Sequence, residues 1–160
     1  MLRAAAAALR GWRAAGFYTE EIRVGGERQG FRAVTFDGQE CAIAHVRFRG
    51  PHRVGKYGVD VAVIDALAAR TLTVDTAIDV YLVDEIGKME CLSARFVAAM
   101  RALLRSGRPV VATIAQRGGG FISEVKARPN GELWLVTRVT RDAMPGRVLA
   151  WLGERAPGGG

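Results

Sequence analysis

Lysine is scarce in this chain. Only Lys56, Lys88 and Lys126 are lysine, although Lys and Arg together number 23 against 16 acids. The net charge of +7 is therefore almost all arginine. A basic surface favours polyanions in a general way. The arginines are scattered among alanines and glycines and form no stripe, so a dedicated nucleic-acid module is only a secondary expectation. Cysteine is sparse too. Cys41 and Cys91 lie far apart in no metal-ligand spacing, which excludes a disulfide framework and fits a reducing, cytoplasmic compartment. His45 and His52 have no partners in metal spacing. No apolar run approaches the length of a membrane span.

What is present is enough apolar residue, 49% of the chain, to bury a core, and the length suits one domain. We place that domain at residues 1–154 and expect 155–160, ending in three glycines, to be a disordered tail. The first residues carry arginines and no acid, as import leaders do. Leu2, Leu9 and Trp12 nevertheless fall near helical spacing, and a helix over Leu2–Ala15 stopping at Gly16 is the better reading.

Phe17–Val24 and Gly30–Phe36 read as strands joined through Gly25-Gly26. Glu40–Phe48 reads as a third extended segment and Asp60–Arg70 as a helix. Asp79–Val83 is a short buried strand. Leu92–Leu104 is an amphipathic helix with Ser93 as its cap and Gly107 as its stop. Val110–Ile114 is a second buried strand, and Phe121–Ala127 is helical. Leu133–Val136 reads as a strand and Met144–Leu152 as a closing helix. Strand–helix alternation from Asp79 onward predicts an α/β fold with a mostly parallel sheet flanked by helices, to which the early hairpin adds an antiparallel part.

Two stretches carry chemistry. Gly50–Tyr57, GPHRVGKY, has the skeleton of a phosphate-binding loop, but its last position is Tyr57 instead of Ser or Thr. Charged Arg47-Phe48-Arg49, not a buried strand, leads into it, so we do not read it as that loop. Val80-Tyr81-Leu82-Val83-Asp84-Glu85 is more telling: four apolar residues end on adjacent carboxylates. Ligands of open α/β sheets bind at that end of the strands. Two adjacent acids there repel unless a cation or water compensates. Metal-assisted phosphoryl transfer to water uses such a pair, one acid on Mg²⁺ and the other on the attacking water. Exposed acids opening a loop would look the same.

Gly16-Phe17-Tyr18-Thr19-Glu20-Glu21-Ile22-Arg23, Arg53-Val54-Gly55-Lys56-Tyr57-Gly58-Val59 and Val83-Asp84-Glu85-Ile86-Gly87-Lys88-Met89-Glu90 occur in this order. Together they resemble the small nucleoside-triphosphatase family of thermophiles and of the human cancer-related nucleoside triphosphatase. The resemblance implies a P-loop NTPase fold and slow, Mg²⁺-dependent hydrolysis of ATP, GTP and other nucleoside triphosphates. A monomer is expected. The resemblance also implies Asp84 on the metal side and Glu85 as catalytic base. Lys88 either reaches the γ-phosphate or pairs with Glu90 nearby. Arg53 and Lys56 are then expected near phosphate, and Arg141 and Asp142 near the base. Thr140 stands where the family usually has Asn, and Ala115 where it often has His.

The family's first central strand and its phosphate loop belong ahead of Gly16, with Leu2–Ala15 matching the helix that follows them. No G-x-x-x-x-G-K-S/T segment occurs in these 160 residues. The expectation is therefore a nucleoside-triphosphatase scaffold with weakened nucleotide binding. The alternatives are a non-catalytic nucleotide- or nucleic-acid-binding module and, more remotely, a nucleotide kinase. Glu20 and Glu21 are either additional acids for metal-bound water or hairpin acids beside Arg23.

Overall fold

A computed structural model describes residues 1–155; the expected tail lies outside them except for Arg155. Arg155 is in place, stacked over the Trp151 ring and donating to Glu132. Seven strands form one mixed sheet: β1 (Ala14–Val24), β2 (Glu27–Thr35), β3 (Glu40–His45), β4 (Arg53–Val54), β5 (Tyr57–Val59), β6 (Val80–Ile86) and β7 (Val110–Ile114). Their spatial order is β4-β5-β3-β2-β1-β6-β7. β1, β6 and β7 run parallel, and every other pairing is antiparallel. The antiparallel part thus reaches beyond one hairpin, because β3 and the short β4–β5 ribbon continue it.

Helices cover both faces. Helices α2 (Val61–Thr71) and α3 (Ala94–Arg105) enclose the larger core with Phe17, Ile43, Tyr81, Val83 and Phe96, all below 1% exposed. On the other face α1 (Leu2–Ala8) and α5 (Met144–Gly153) pack Ala5, Val148 and Leu152 against Val80 and Leu82. β6 therefore buries alternate residues on opposite faces, as its unbroken apolar run requires. α4 (Phe121–Lys126) follows β7. Asp60 caps α2 by accepting from the Val63 N–H at 3.1 Å, and Ser93 caps α3 by accepting from the Phe96 N–H at 2.9 Å.

Two expectations give way to tertiary pairing. The first helix stops at Ala8, not Ala15, because Ala14 to Phe17 are drawn into a parallel ladder with Val80 to Val83. Arg13 fixes that switch, its main-chain N–H and guanidinium both donating to Asp79. Leu133–Val136 forms no strand: it pairs with no other strand, and Leu133, Leu135 and Val136 are exposed. β7, the sheet's last strand, has no neighbour on its far side among the described residues.

Gly16 marks the tightest approach in the sheet. Its φ is +112°, and a Cβ there would run into the Leu82 backbone. Gly16→Ala is expected to cost about 2–4 kcal/mol through positive-φ strain and the collision, read as a lowered urea midpoint by circular dichroism.

Candidate active site

β6 is buried through Val83 and then breaks register. Tyr81, Leu82 and Val83 pair with Val110, Val111 and Ala112 of β7, and the ladder resumes only at Ile86, opposite Ile114. Asp84 and Glu85 occupy the interruption, joined by a cis peptide bond. Ile86, 1% exposed, closes the core behind them. The acids therefore sit in an irregularity inside the strand, not in a loop beyond it. Such interruptions re-aim side chains at sheet rims.

Asp84 is half-buried, and its Oδ1 accepts from the Thr113 hydroxyl on β7 at 2.5 Å. Glu85 is exposed at the rim. Its carboxyl pKa is raised, first by the desolvation of its protein-facing side and then by the charge of Asp84. A third carboxyl follows on the 3₁₀ turn Glu90–Leu92. Glu90 is 4% exposed, and burial, assisted by Glu85 and Asp84, raises its pKa to about 7. None of these three acids has an arginine, lysine or histidine partner among the described residues.

Lys88 is exposed on the same turn. It borders a groove of about 410 Å³ whose far wall is the Gly118–Gly120 loop and Phe121. The other expected site residues lie apart. Arg53 is tied within its own ribbon, donating to the Lys56 carbonyl at 2.7 Å, and Lys56 lies over the Tyr57 ring. β3, β2 and β1 stand between that ribbon and β6. Gly50–Tyr57 opens no helix; it runs into β5, and Tyr57 is buried, its hydroxyl accepting from Arg28. Arg141 and Asp142 are exposed and pair with each other at 3.3 Å ahead of α5. No bond joins Arg53, Lys56, Arg141 or Asp142 to the acid pair. Glu20 and Glu21 are held by arginines: Glu20 by Arg3 and Arg32, Glu21 by Arg23 and Arg28.

The sequence model of the NTPase family matches residues 1–149. The chain belongs to the NTPase family. It is 37% identical over 139 residues to the nucleoside-triphosphatase THEP1 of Thermotoga petrophila, covering 85% of this chain and 76% of that protein. The corresponding protein of Methanothermobacter thermautotrophicus is 33% identical, with 90% and 82% covered. Among solved structures, THEP1 from Aquifex aeolicus superposes with a TM-score of 0.82 at 31% identity, covering 94% of this chain and 91% of that one. The human cancer-related nucleoside triphosphatase gives 0.80 at 30% identity, covering 96% and 89%. The expected fold thus holds for this NTPase-family chain.

Thr113 and Glu90 were not singled out from the sequence. The signal for Thr113 was a hydroxyl in the otherwise aliphatic strand Val110–Ile114, one residue beyond the partner of Val83. Glu90 enters the sequence reading only as the alternative partner of Lys88, and nothing local announces its burial.

Two measurements probe these contacts. Thr113→Val frees Asp84 from its donor and is expected to lower nucleoside-triphosphate turnover about 10-fold or more, with the melting temperature nearly unchanged. The second concerns stability. A carboxyl whose folded pKa lies above its unfolded value favours folding at low pH and loses that contribution as pH rises from about 4.5 to about 7. Glu90→Gln cannot charge, so its stability relative to wild type is expected to rise by up to about 3 kcal/mol between pH 5 and pH 8, read from urea midpoints.

Proposed function

We propose that this chain hydrolyses nucleoside triphosphates such as ATP and GTP to the diphosphate and inorganic phosphate, with Asp84 and Glu85 in separate roles. One observation carries the reading: two adjacent carboxylates without a cation partner, at the register break of a buried parallel strand. Among the described residues no group of three His, Cys, Asp or Glu side chains is arranged to hold a metal alone. That donor set suits Mg²⁺, which commonly takes one or two carboxylates and completes its shell with substrate phosphates and water. Asp84, steadied by Thr113, would hold it. Bound there, the ion offsets negative charge on the triphosphate.

The remaining work falls to the chain's own groups. Glu85 accepts a hydrogen bond from a water lying in line with the γ-phosphorus. As the water oxygen bonds to phosphorus, the bond to the β–γ bridging oxygen breaks, and the water proton passes to Glu85. The raised pKa of Glu85 makes it a better proton acceptor than an ordinary carboxylate. Lys88, on the turn just after the acids, contributes positive charge toward the terminal phosphate.

Glu85→Gln is expected to cut turnover about 100-fold or more while leaving Mg-ATP affinity, read by isothermal titration, nearly unchanged. Turnover equal to wild type would remove Glu85 from the mechanism.

A further inference from the structure

We propose that the loop Arg47–His52 and the β4–β5 ribbon form a second ligand site: a basic groove that takes the phosphate backbone of a single-stranded nucleic acid. The site is separate from the hydrolytic one and stands whether or not the acid pair acts as described.

The charge comes from a stretch of sequence without acids. From Cys41 to Val59 there is no Asp or Glu, while Arg47, Arg49, Arg53 and Lys56 are all cationic. Among the described residues none of the four has a carboxylate partner. Arg53 donates only to main-chain carbonyls, those of Phe48 and Lys56. Arg47 and Arg49 are exposed. Their charge is left to solvent or to a ligand.

The fold gives that charge a shape. The loop and the start of α2 border a groove of about 510 Å³, lined by Arg47, Phe48, Arg49 and His52 and by Asp60 and Val61. Asp60 is the one acid in the lining, and its Oδ1 already accepts from the Val63 N–H at 3.1 Å. The loop is braced. The Phe48 N–H donates to the His45 carbonyl, and the Val59 N–H donates to the His52 carbonyl. Phe48 packs so closely on Gly58 that a Cβ there would lie 2.3 Å from the Phe48 carbonyl oxygen. Cations on a preset backbone lose less freedom when a polyanion binds.

The chemistry favours nucleic acid over other polyanions. The cations run from residue 47 to residue 56, over both loop and ribbon, more than a lone phosphate can engage. Three of the four are arginine, whose planar fork meets phosphate oxygens at two points. Phe48 and His52 place rings among them, and rings beside cations suit stacked single-stranded bases. No large apolar side chain is exposed on this segment, so nothing there would enter a membrane. The groove also shares a rim with the acid pair. β1 runs parallel to β6 with Phe17 opposite Val83, and farther along β1 Ile22 pairs with Gly30, which pairs with His45. The loop after His45 therefore leaves the sheet at the end where Asp84 and Glu85 stand.

The test is fluorescence anisotropy of labelled oligo-rU and oligo-dT titrated with the whole chain over a range of KCl. Binding is expected to weaken with salt at about 0.7 log units per tenfold salt for each phosphate neutralised. Arg47→Ser with Arg49→Ser is expected to lower affinity about 10-fold or more and to flatten the salt slope by about 1.4. Arg10→Ser with Arg138→Ser removes equal charge from exposed arginines elsewhere and is expected to change affinity less than about 2-fold. Tighter binding of oligo-rU than of oligo-dT would name RNA as the source of the phosphates, and the reverse DNA. Four results overturn the proposal: no binding of either oligonucleotide, equal losses in the two double variants, displacement of the oligonucleotide by Mg-ATP, or binding as tight to polyglutamate or phosphatidylserine vesicles of matched charge.

Discussion

The organising constraint is electrostatic: negative charge left unneutralised at the end of a buried strand. The chain is rich in arginine, and its acids are mostly claimed by it. Arg13 grips Asp79 at 2.9 Å, Arg101 grips Glu124 at 2.6 Å, and Arg32 bridges Glu20 and Glu40. Exposed pairs of this kind contribute little to stability individually. Their pattern is informative for another reason. Cations abound, yet among the described residues none pairs with Asp84, Glu85 or Glu90. A folded chain tolerates such a site when its charge is offset by protons, by water or by a bound cation, and that requirement ties the sheet rim to nucleotide chemistry.

The fold serves this site by making the strand beneath it rigid. Val80 to Val83 are wholly buried, alternating between the α2–α3 face and the α1–α5 face. Both neighbours of β6 are parallel to it. The ladder can then slip only where the strand leaves the core, and it slips at the two acids. Close packing of Gly16 on Leu82 sets the distance of β1 from β6. Thr113 takes its height from β7, since Ala112 is locked to Val83. The first acid thus acquires a donor because of a register set several residues below it.

Features that depend on local chemistry were legible in the sequence. The run Val80–Val83 ending on two carboxylates needed only apolar continuity and charge. Ser93 as a cap needed only its place before Ala94-Arg95-Phe96, and the rejection of Gly50–Tyr57 as a phosphate loop needed only Tyr57 and the charged Arg47-Phe48-Arg49 ahead of it. What escaped depends on partners distant in sequence. Ala14 and Ala15 are good helix formers, yet Val80 and Tyr81 hold them extended. Leu133–Val136 has strand-like residues but pairs with no strand, and its apolar side chains remain exposed. Glu90 resembles any helix-start glutamate until Gly87, Ser93 and α2 fold around it.

The same distinction underlies the separate roles we propose for the two acids. Asp84 and Glu85 are neighbours in sequence and nearly equivalent in chemistry. Their surroundings separate them. Asp84 faces a hydroxyl donor, which fixes its direction. Glu85 has no such donor from β7; partial desolvation and the adjacent charge push its proton affinity upward. A ligand for a cation needs the first environment, and an acceptor for a water proton needs the second. One break in register, placing a threonine on the first acid and leaving the second at the exposed rim, is sufficient to give two like residues different surroundings.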